Sequence, residues 1–136
     1  MAPNDLPATP ISVVRSAARK FAMLVVIVGA FAGVWYLGKL RGRQKMDQFA
    51  QCLTDKGAVM YGLYWCPHCE DQKKLFGTSF GKVRYVECGT VDHKEQPQCA
   101  QEGLVDFPAW RFADGERHAG GLSLPELSAK TGCAAR

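Results

Sequence analysis

Two cysteines separated by two residues, Cys66 and Cys69, have the spacing in this 136-residue chain that most directly indicates chemistry. They follow an apolar, aromatic run at residues 61–65 and precede a helix-like sequence at residues 70–76. A Cys-x-x-Cys pair at a strand-to-helix junction can work as a redox dithiol, because its two sulfurs are close enough to close a small disulfide ring. The sequence therefore predicts thiol–disulfide exchange at this pair.

The expected place of Cys66 at the start of a helix favours its thiolate. Unpaired backbone N–H groups and the helix dipole favour an anion there, and Pro67 suits the first turn because it lacks an N–H group. A protonated His68 would add a positive charge beside Cys66. Since the thiolate is the nucleophile in disulfide exchange, we expect Cys66 to attack and Cys69 to resolve the mixed disulfide. The Pro-His pair indicates an oxidising dithiol rather than a reducing one.

Two other interpretations of the Cys-x-x-Cys pair are open. One is half of a zinc or copper site, with Cys66, Cys69 and His93 as ligands. The other is a purely structural disulfide. The chain has no second Cys-x-x-Cys and no His-x-x-x-His, so we expect no metal. We also expect no bound cofactor, because the Cys66–Cys69 disulfide would itself be the redox group.

The other four cysteines indicate structural disulfides in an oxidising compartment. If Cys66 pairs with Cys69, three pairings of the remainder are possible. Cys88 and Cys99 bracket a polar stretch without periodicity, residues 89–98, which is a natural loop for a disulfide to close. Cys52 and Cys133 would then form a third pair or remain as two free thiols.

The N-terminal part of the chain has the composition of a membrane anchor. Residues 1–45 contain seven Lys and Arg residues and a single acidic residue, Asp5, and residues 21–38 contain no charge. Eighteen apolar residues can span a bilayer as a helix. We therefore divide the chain into a disordered basic tail (1–20), a transmembrane signal anchor (21–38), a basic linker (39–45) and a globular domain (46–136).

Two alternatives apply to residues 21–38: a signal peptide whose cleavage site is formed by the small residues Ala30 and Ala32 around Phe31, or a buried core helix. The charges on the two sides of the segment do not determine its orientation. The cysteines favour a domain outside the cytoplasm, in a periplasm, at the cell exterior or in an equivalent lumen. Basic residues flank the apolar segment, which indicates membrane contact and not nucleic acid.

The globular part alternates between helical and extended patterns. Leu75 and Phe76 are expected to face the core. The predicted elements are helix 46–56, strand 58–64, helix 66–76, strand 83–87, loop 89–98, helix 98–103, strand 107–112, a turn at 114–115, strand 116–120 and helix 123–130. This order predicts an α/β domain with a mixed sheet and helices on both faces.

The order of elements and four segments, residues 60–77, 85–88, 96–99 and 107–110, resemble a known family. It is the thioredoxin-like domain fused to, or encoded beside, bacterial and plant homologues of vitamin K epoxide reductase. The resemblance extends from Phe49 to Cys133. It implies that the domain takes electrons from protein thiols and passes them to the membrane reductase and then to a quinone. With one candidate span in this chain, that reductase would be a separate polytopic protein.

The resemblance also implies roles for residues outside the dithiol. Pro108 would be cis and adjacent to Cys66, and the backbone of Phe107 would pair with the substrate chain, although sequence alone favours a trans X-Pro bond. Trp65 is expected to pack beside the dithiol. Glu87 is a possible proton acceptor, but a surface carboxylate is the simpler interpretation. His93 and His118 are expected to be solvated.

Three functions follow from these patterns. The first is a membrane-anchored thiol–disulfide oxidoreductase that oxidises cysteine-containing substrate proteins. The second is a reductase or isomerase with the opposite electron flow. The third is a tethered module that binds metal without catalysis. The redox potential separates the first two, and metal content tests the third.

Overall fold

A computed structural model describes residues 10–104 and 106–135, with side chains described from residue 18 onward. The predicted disordered segment up to residue 9 lies outside the described residues. The chain divides into two units, residues 1–40 and 41–136. The first contains most of an N-terminal helix, and the second contains the end of that helix and a four-stranded sheet.

Helix α1 (Pro10–Asp55) is continuous, which differs from the expected tail, anchor and linker. Residues 10–20 and 39–45 are helical because no proline occurs between Pro10 and Asp55 and the basic segment contains good helix formers. From Ala18 the helix is long and apolar enough to cross a membrane, and none of its most apolar window is buried. A signal sequence has the same features.

The sheet contains four short strands in the order β2-β1-β3-β4. They are β1 (Val59–Gly62), β2 (Tyr85–Glu87), β3 (Ala109–Arg111) and β4 (Arg117–Ala119). Strands β1 and β2 are parallel, whereas β3 is antiparallel to both β1 and β4. The α/β class and the mixed sheet expected from the sequence are confirmed.

Three more helices follow the first: α2 (Pro67–Phe76), α3 (Pro97–Gln101) and α4 (Leu124–Thr131). Helix α4 begins with the expected capping box, in which the Ser123 hydroxyl and the Glu126 carboxylate bind each other's backbone N–H. A 3₁₀-helix, Gly77–Lys82, was not expected. Gly77 does end α2, but the chain continues as a tighter helix before it enters β2.

Helices cover both faces of the sheet. Met60 and Trp110 pack on one face in a cluster with residues of α1, α2 and α4. On the other face, Val59, Tyr61 and Ala109 pack with Cys88 and with Cys99 of α3. Successive side chains of β1 and β3 thus point to opposite faces of the sheet, and both faces are buried.

Phe76 is buried, as expected, but Leu75 is 46% exposed. The prediction that Leu75 faces the core is therefore wrong. Adjacent helical residues point about 100° apart, so only one of the two side chains can face the sheet.

Candidate active site

The two cysteines of the Cys-x-x-Cys motif differ in exposure. Cys66 is the N-cap residue of α2, and its carbonyl accepts hydrogen bonds from the backbone N–H groups of Cys69 (3.1 Å) and Glu70 (3.2 Å). Pro67 occupies the first helical turn. Both thiols are free; Cys66 is half-buried, whereas Cys69 is fully buried. The first sulfur is thus the one that a partner can reach.

Burial also affects the protonation of the second cysteine. Burial, together with the neighbouring Cys66, raises the pKa of the Cys69 thiol to about 12, against the opposing effect of a backbone hydrogen bond from Leu63. Cys69 is therefore protonated at neutral pH. A reaction that uses this sulfur as a nucleophile must first remove its proton.

Phe107 and Pro108 lie against the dithiol. The Cys66 thiol donates to the Phe107 carbonyl at 3.6 Å, and the Phe107–Pro108 peptide bond is cis. The trans geometry that sequence alone favours is wrong at this bond, since the tertiary setting outweighs the small intrinsic preference of an X-Pro bond. Pro108 is fully buried.

A groove of about 430 Å³ lies beside α2 at this point. His68 and Leu75 line one side, and Phe107, Pro108 and the residues that follow β4 line the other. Gln72 holds the two sides together, because its side chain donates to the Leu122 carbonyl (2.9 Å) and accepts from the Leu122 N–H (2.7 Å). Nothing in the local sequence around Gln72 indicates this role, because its hydrogen-bond partner is 50 residues away.

Trp65 does not line this groove. Its ring contacts Tyr64 (4.6 Å between ring centroids) and His93 (4.8 Å), and it packs over Gly89. His93 is exposed, but it is not simply solvated, because it belongs to this aromatic cluster. The cluster joins the residue before the dithiol to the loop between Cys88 and Cys99.

Gly89 is the position where this packing leaves no room for a side chain. A Cβ atom there would lie 2.4 Å from Trp65 Cζ3 and 2.8 Å from Glu87 Oε1. We expect Gly89→Ala to lower the free energy of unfolding by about 1–3 kcal/mol through overpacking, measured by urea titration. Gly81→Ala is the matched control, because nothing lies within 4 Å of its Cβ position. An equal effect of the two substitutions would contradict this account.

Glu87 is more than a surface carboxylate. It is half-buried, and it accepts hydrogen bonds from the Tyr85 hydroxyl (2.7 Å) and from the backbone N–H groups of Tyr64 (3.0 Å) and Gly89 (2.7 Å). Burial and the bond to Glu87 raise the pKa of Tyr85. Glu87 lies two residues before Gly89 in the sequence, but that spacing alone does not indicate a buried carboxylate. The parallel pairing of β1 and β2, which places Glu87 opposite Gly62, is what brings it to this position.

The remaining cysteines are joined as Cys88–Cys99 and Cys52–Cys133, with Cα–Cα distances of 5.8 and 5.9 Å. The first closes the loop after β2. The second joins the end of α1 to the segment after α4. Within residues 10–104 and 106–135, no group of three or more His, Cys, Asp or Glu side chains could hold a metal ion.

No family model matches the chain. Over 88 residues it is 38% identical to a protein of Arabidopsis thaliana named thiol-disulfide oxidoreductase LTO1. The matched region covers 61% of this chain and 23% of that protein. The chain thus spans less than a quarter of the length of this relative.

Proposed function

We propose that this chain is a thiol–disulfide oxidoreductase with a thioredoxin-like domain, and that Cys66 and Cys69 are its redox pair. The observation that carries the proposal is the unequal exposure of the two free sulfurs at the start of α2. Cys66 is partly exposed to solvent beside a groove, whereas Cys69 is fully buried and its thiol is protonated at neutral pH. Such a pair favours capture of a partner by one sulfur and release by the other.

In this proposal Cys66 forms the mixed disulfide with a cysteine of the substrate protein, and Cys69 resolves it. His68 lies at the edge of the groove, where it adds polarity beside Cys66. The backbone of Phe107, which already accepts from the Cys66 thiol, positions the substrate chain together with Pro108. The similarity to a relative named for thiol–disulfide exchange supports this assignment, although it covers only part of that protein.

We further propose that α1 anchors the domain in a membrane with the dithiol on the extracytoplasmic side. The apolar, unburied part of α1 supports the anchor, and two disulfides outside the dithiol support an oxidising compartment. The electrons would then pass to a separate polytopic membrane quinone reductase of the vitamin K epoxide reductase type. No cofactor other than the Cys66–Cys69 disulfide is needed for the exchange step.

A redox titration tests this proposal. Full-length protein in detergent micelles is equilibrated with mixtures of reduced and oxidised glutathione, and the free thiols are alkylated and counted by mass spectrometry. We expect one two-electron transition at Cys66 and Cys69, with a potential nearer the oxidising value of about −120 mV than the reducing value of about −270 mV. A potential near the latter would reverse the proposed electron flow. Failure of the pair to form a disulfide at any ratio would contradict the whole proposal.

A further inference from the structure

The resolving step of the proposed reaction requires a group that accepts the proton of Cys69. This thiol is fully buried and protonated at neutral pH. It cannot attack the mixed disulfide until its proton leaves. The groups around it therefore decide how fast resolution occurs.

Lys73, the backbone of Leu63, Cys66 and Tyr85 all act electrostatically on the Cys69 thiol or are acted on by it. Lys73 of α2 is a cation that pairs with Glu70 at 2.8 Å, so it has no free acceptor for a proton. Leu63 contributes a backbone hydrogen bond that stabilises the thiolate but takes no proton. During the resolving step, Cys66 Sγ is bonded to the substrate sulfur and cannot accept a proton. Tyr85 of β2 is a further neighbour, and its hydroxyl borders the same space beside Gly62 as the Cys69 sulfur.

Gly62 brings Tyr85 and Cys69 to one space. A Cβ atom on Gly62 would lie 3.2 Å from Cys69 Sγ and 3.0 Å from the hydroxyl oxygen of Tyr85. Both polar atoms thus border the volume that this glycine leaves without a side chain. On its far side, the Tyr85 hydroxyl donates to Glu87 Oε2 at 2.7 Å. A thiol, a hydroxyl and a carboxylate therefore follow one another beneath α2.

We propose that Tyr85 and Glu87 form the proton-accepting pair for Cys69 in the resolving step, an inference that rests on the proposed function. The Tyr85 hydroxyl takes the proton from Cys69 across the space beside Gly62, directly or through one water molecule, and passes its own proton to Glu87. Cys69 Sγ then bonds to Cys66 Sγ, and the substrate sulfur leaves as a thiolate. The products are the Cys66–Cys69 disulfide, a substrate thiolate and a neutral Glu87, so charge and atoms balance.

Tyr85→Phe and Glu87→Gln test the pair in the full-length protein. Phenylalanine keeps the ring that packs on Phe80 and under Lys73. Glutamine keeps an oxygen for the N–H groups of Tyr64 and Gly89. Tyr61→Phe is the matched control, because it removes a tyrosine hydroxyl from the opposite face of the sheet.

The reduced proteins are mixed with an excess of an aromatic disulfide, dithiobis(nitrobenzoate), in a stopped-flow instrument. Attack by Cys66 releases one coloured thiolate at a rate that increases with reagent concentration. Attack by Cys69 releases the second at a rate that does not. We expect an unchanged first step and a second step that is at least about 10-fold slower in both variants, since positioned general bases contribute at least that much.

The pH dependence separates proton transfer from a merely structural effect. In the wild type, the second rate should be nearly independent of pH, because the Tyr85–Glu87 pair and not solvent hydroxide accepts the proton. In both variants it should increase about 10-fold per pH unit, because solvent hydroxide must then remove the proton. Lys73 and Glu70 are unchanged in every protein compared.

Each outcome has one meaning. A slower second step with the wild-type pH profile would show a structural effect and overturn the inference, as would an unchanged second step. If Glu87→Gln does not fold, Tyr85→Phe decides alone. Absence of the first step in the wild type would instead overturn the proposed function. The two failures are therefore distinguishable.

Discussion

Replacing Cys66 with Ser is expected to abolish thiol–disulfide exchange, with a decrease of more than about 10³-fold in the rate of oxidation of a reduced substrate protein. A serine hydroxyl is not ionised at neutral pH and does not form a mixed disulfide. The remaining thiol cannot substitute for it, because Cys69 is fully buried and burial raises its pKa to about 12. The measurement is the loss of free thiols from a reduced, unfolded substrate such as hirudin or ribonuclease.

The companion variant Cys69→Ser should behave differently. It keeps the accessible sulfur and loses the resolving one. When its Cys66 thiolate attacks a disulfide of an oxidised substrate protein, one substrate sulfur leaves as a thiolate and the other stays joined to Cys66. Mixed disulfides should therefore accumulate and appear on non-reducing gels as adducts that a reductant removes. The double variant Cys66→Ser/Cys69→Ser controls for exchange at the four cysteines already joined in disulfides. Oxidation at the wild-type rate by Cys66→Ser, or adducts in the double variant, would rule out this division of roles.

The parts of this site that the sequence predicted are those fixed by local chemistry. A strand-to-helix junction is identified within a dozen residues by three local features: the Cys-x-x-Cys spacing, the proline in the first helical turn and the apolar strand that precedes the motif. The capping box at Ser123 and the turn at Asp114 are equally local. Each depends on backbone groups a few positions away, so one sequence is enough to read it.

The parts that the sequence did not predict depend on pairing between distant segments. Gln72 is hydrogen-bonded to Leu122, 50 residues away. The hydrogen bond from Cys66 to the carbonyl of Phe107, 41 residues away, has no local signal either, and only the family resemblance implies that this segment lies beside the dithiol. Glu87 acquires its role only because β2 lies parallel to β1 and places it opposite Gly62. A glutamine or glutamate has the same appearance in sequence whether it is solvated or buried, so residue type could not distinguish these cases.

The continuity of α1 shows a different limit. A cluster of basic residues after an apolar segment indicates where a membrane surface would lie, and it is equally typical of a linker. Lysine, arginine and glutamine are also good helix formers, so the same residues extend the helix to Asp55. The charge pattern carries information about surroundings and not about backbone conformation.

The disulfide Cys52–Cys133 should contribute the larger share of the stabilisation from the two structural disulfides. It joins residues 81 positions apart, whereas Cys88–Cys99 joins residues 11 apart. On the chain-entropy model, the longer loop removes more freedom from the unfolded chain, with about 4–5 kcal/mol for the first disulfide against about 3 kcal/mol for the second. Cys133, Cys88 and Cys99 are buried, and Cys52 is half-buried.

The comparison uses Cys52→Ala/Cys133→Ala and Cys88→Ala/Cys99→Ala, unfolded in urea with Cys66 and Cys69 kept reduced. We expect the first variant to lose more free energy of unfolding, because it frees both the end of α1 and the segment after α4. Below its unfolding midpoint it should still carry out exchange, since neither cysteine contacts the dithiol groove. The second variant frees the loop that carries His93 against Trp65. Because this loop is short, we expect a smaller decrease in the free energy of unfolding. A greater loss from the short loop would mean that the native contacts of that loop, and not the entropy of the unfolded chain, determine what the disulfides contribute.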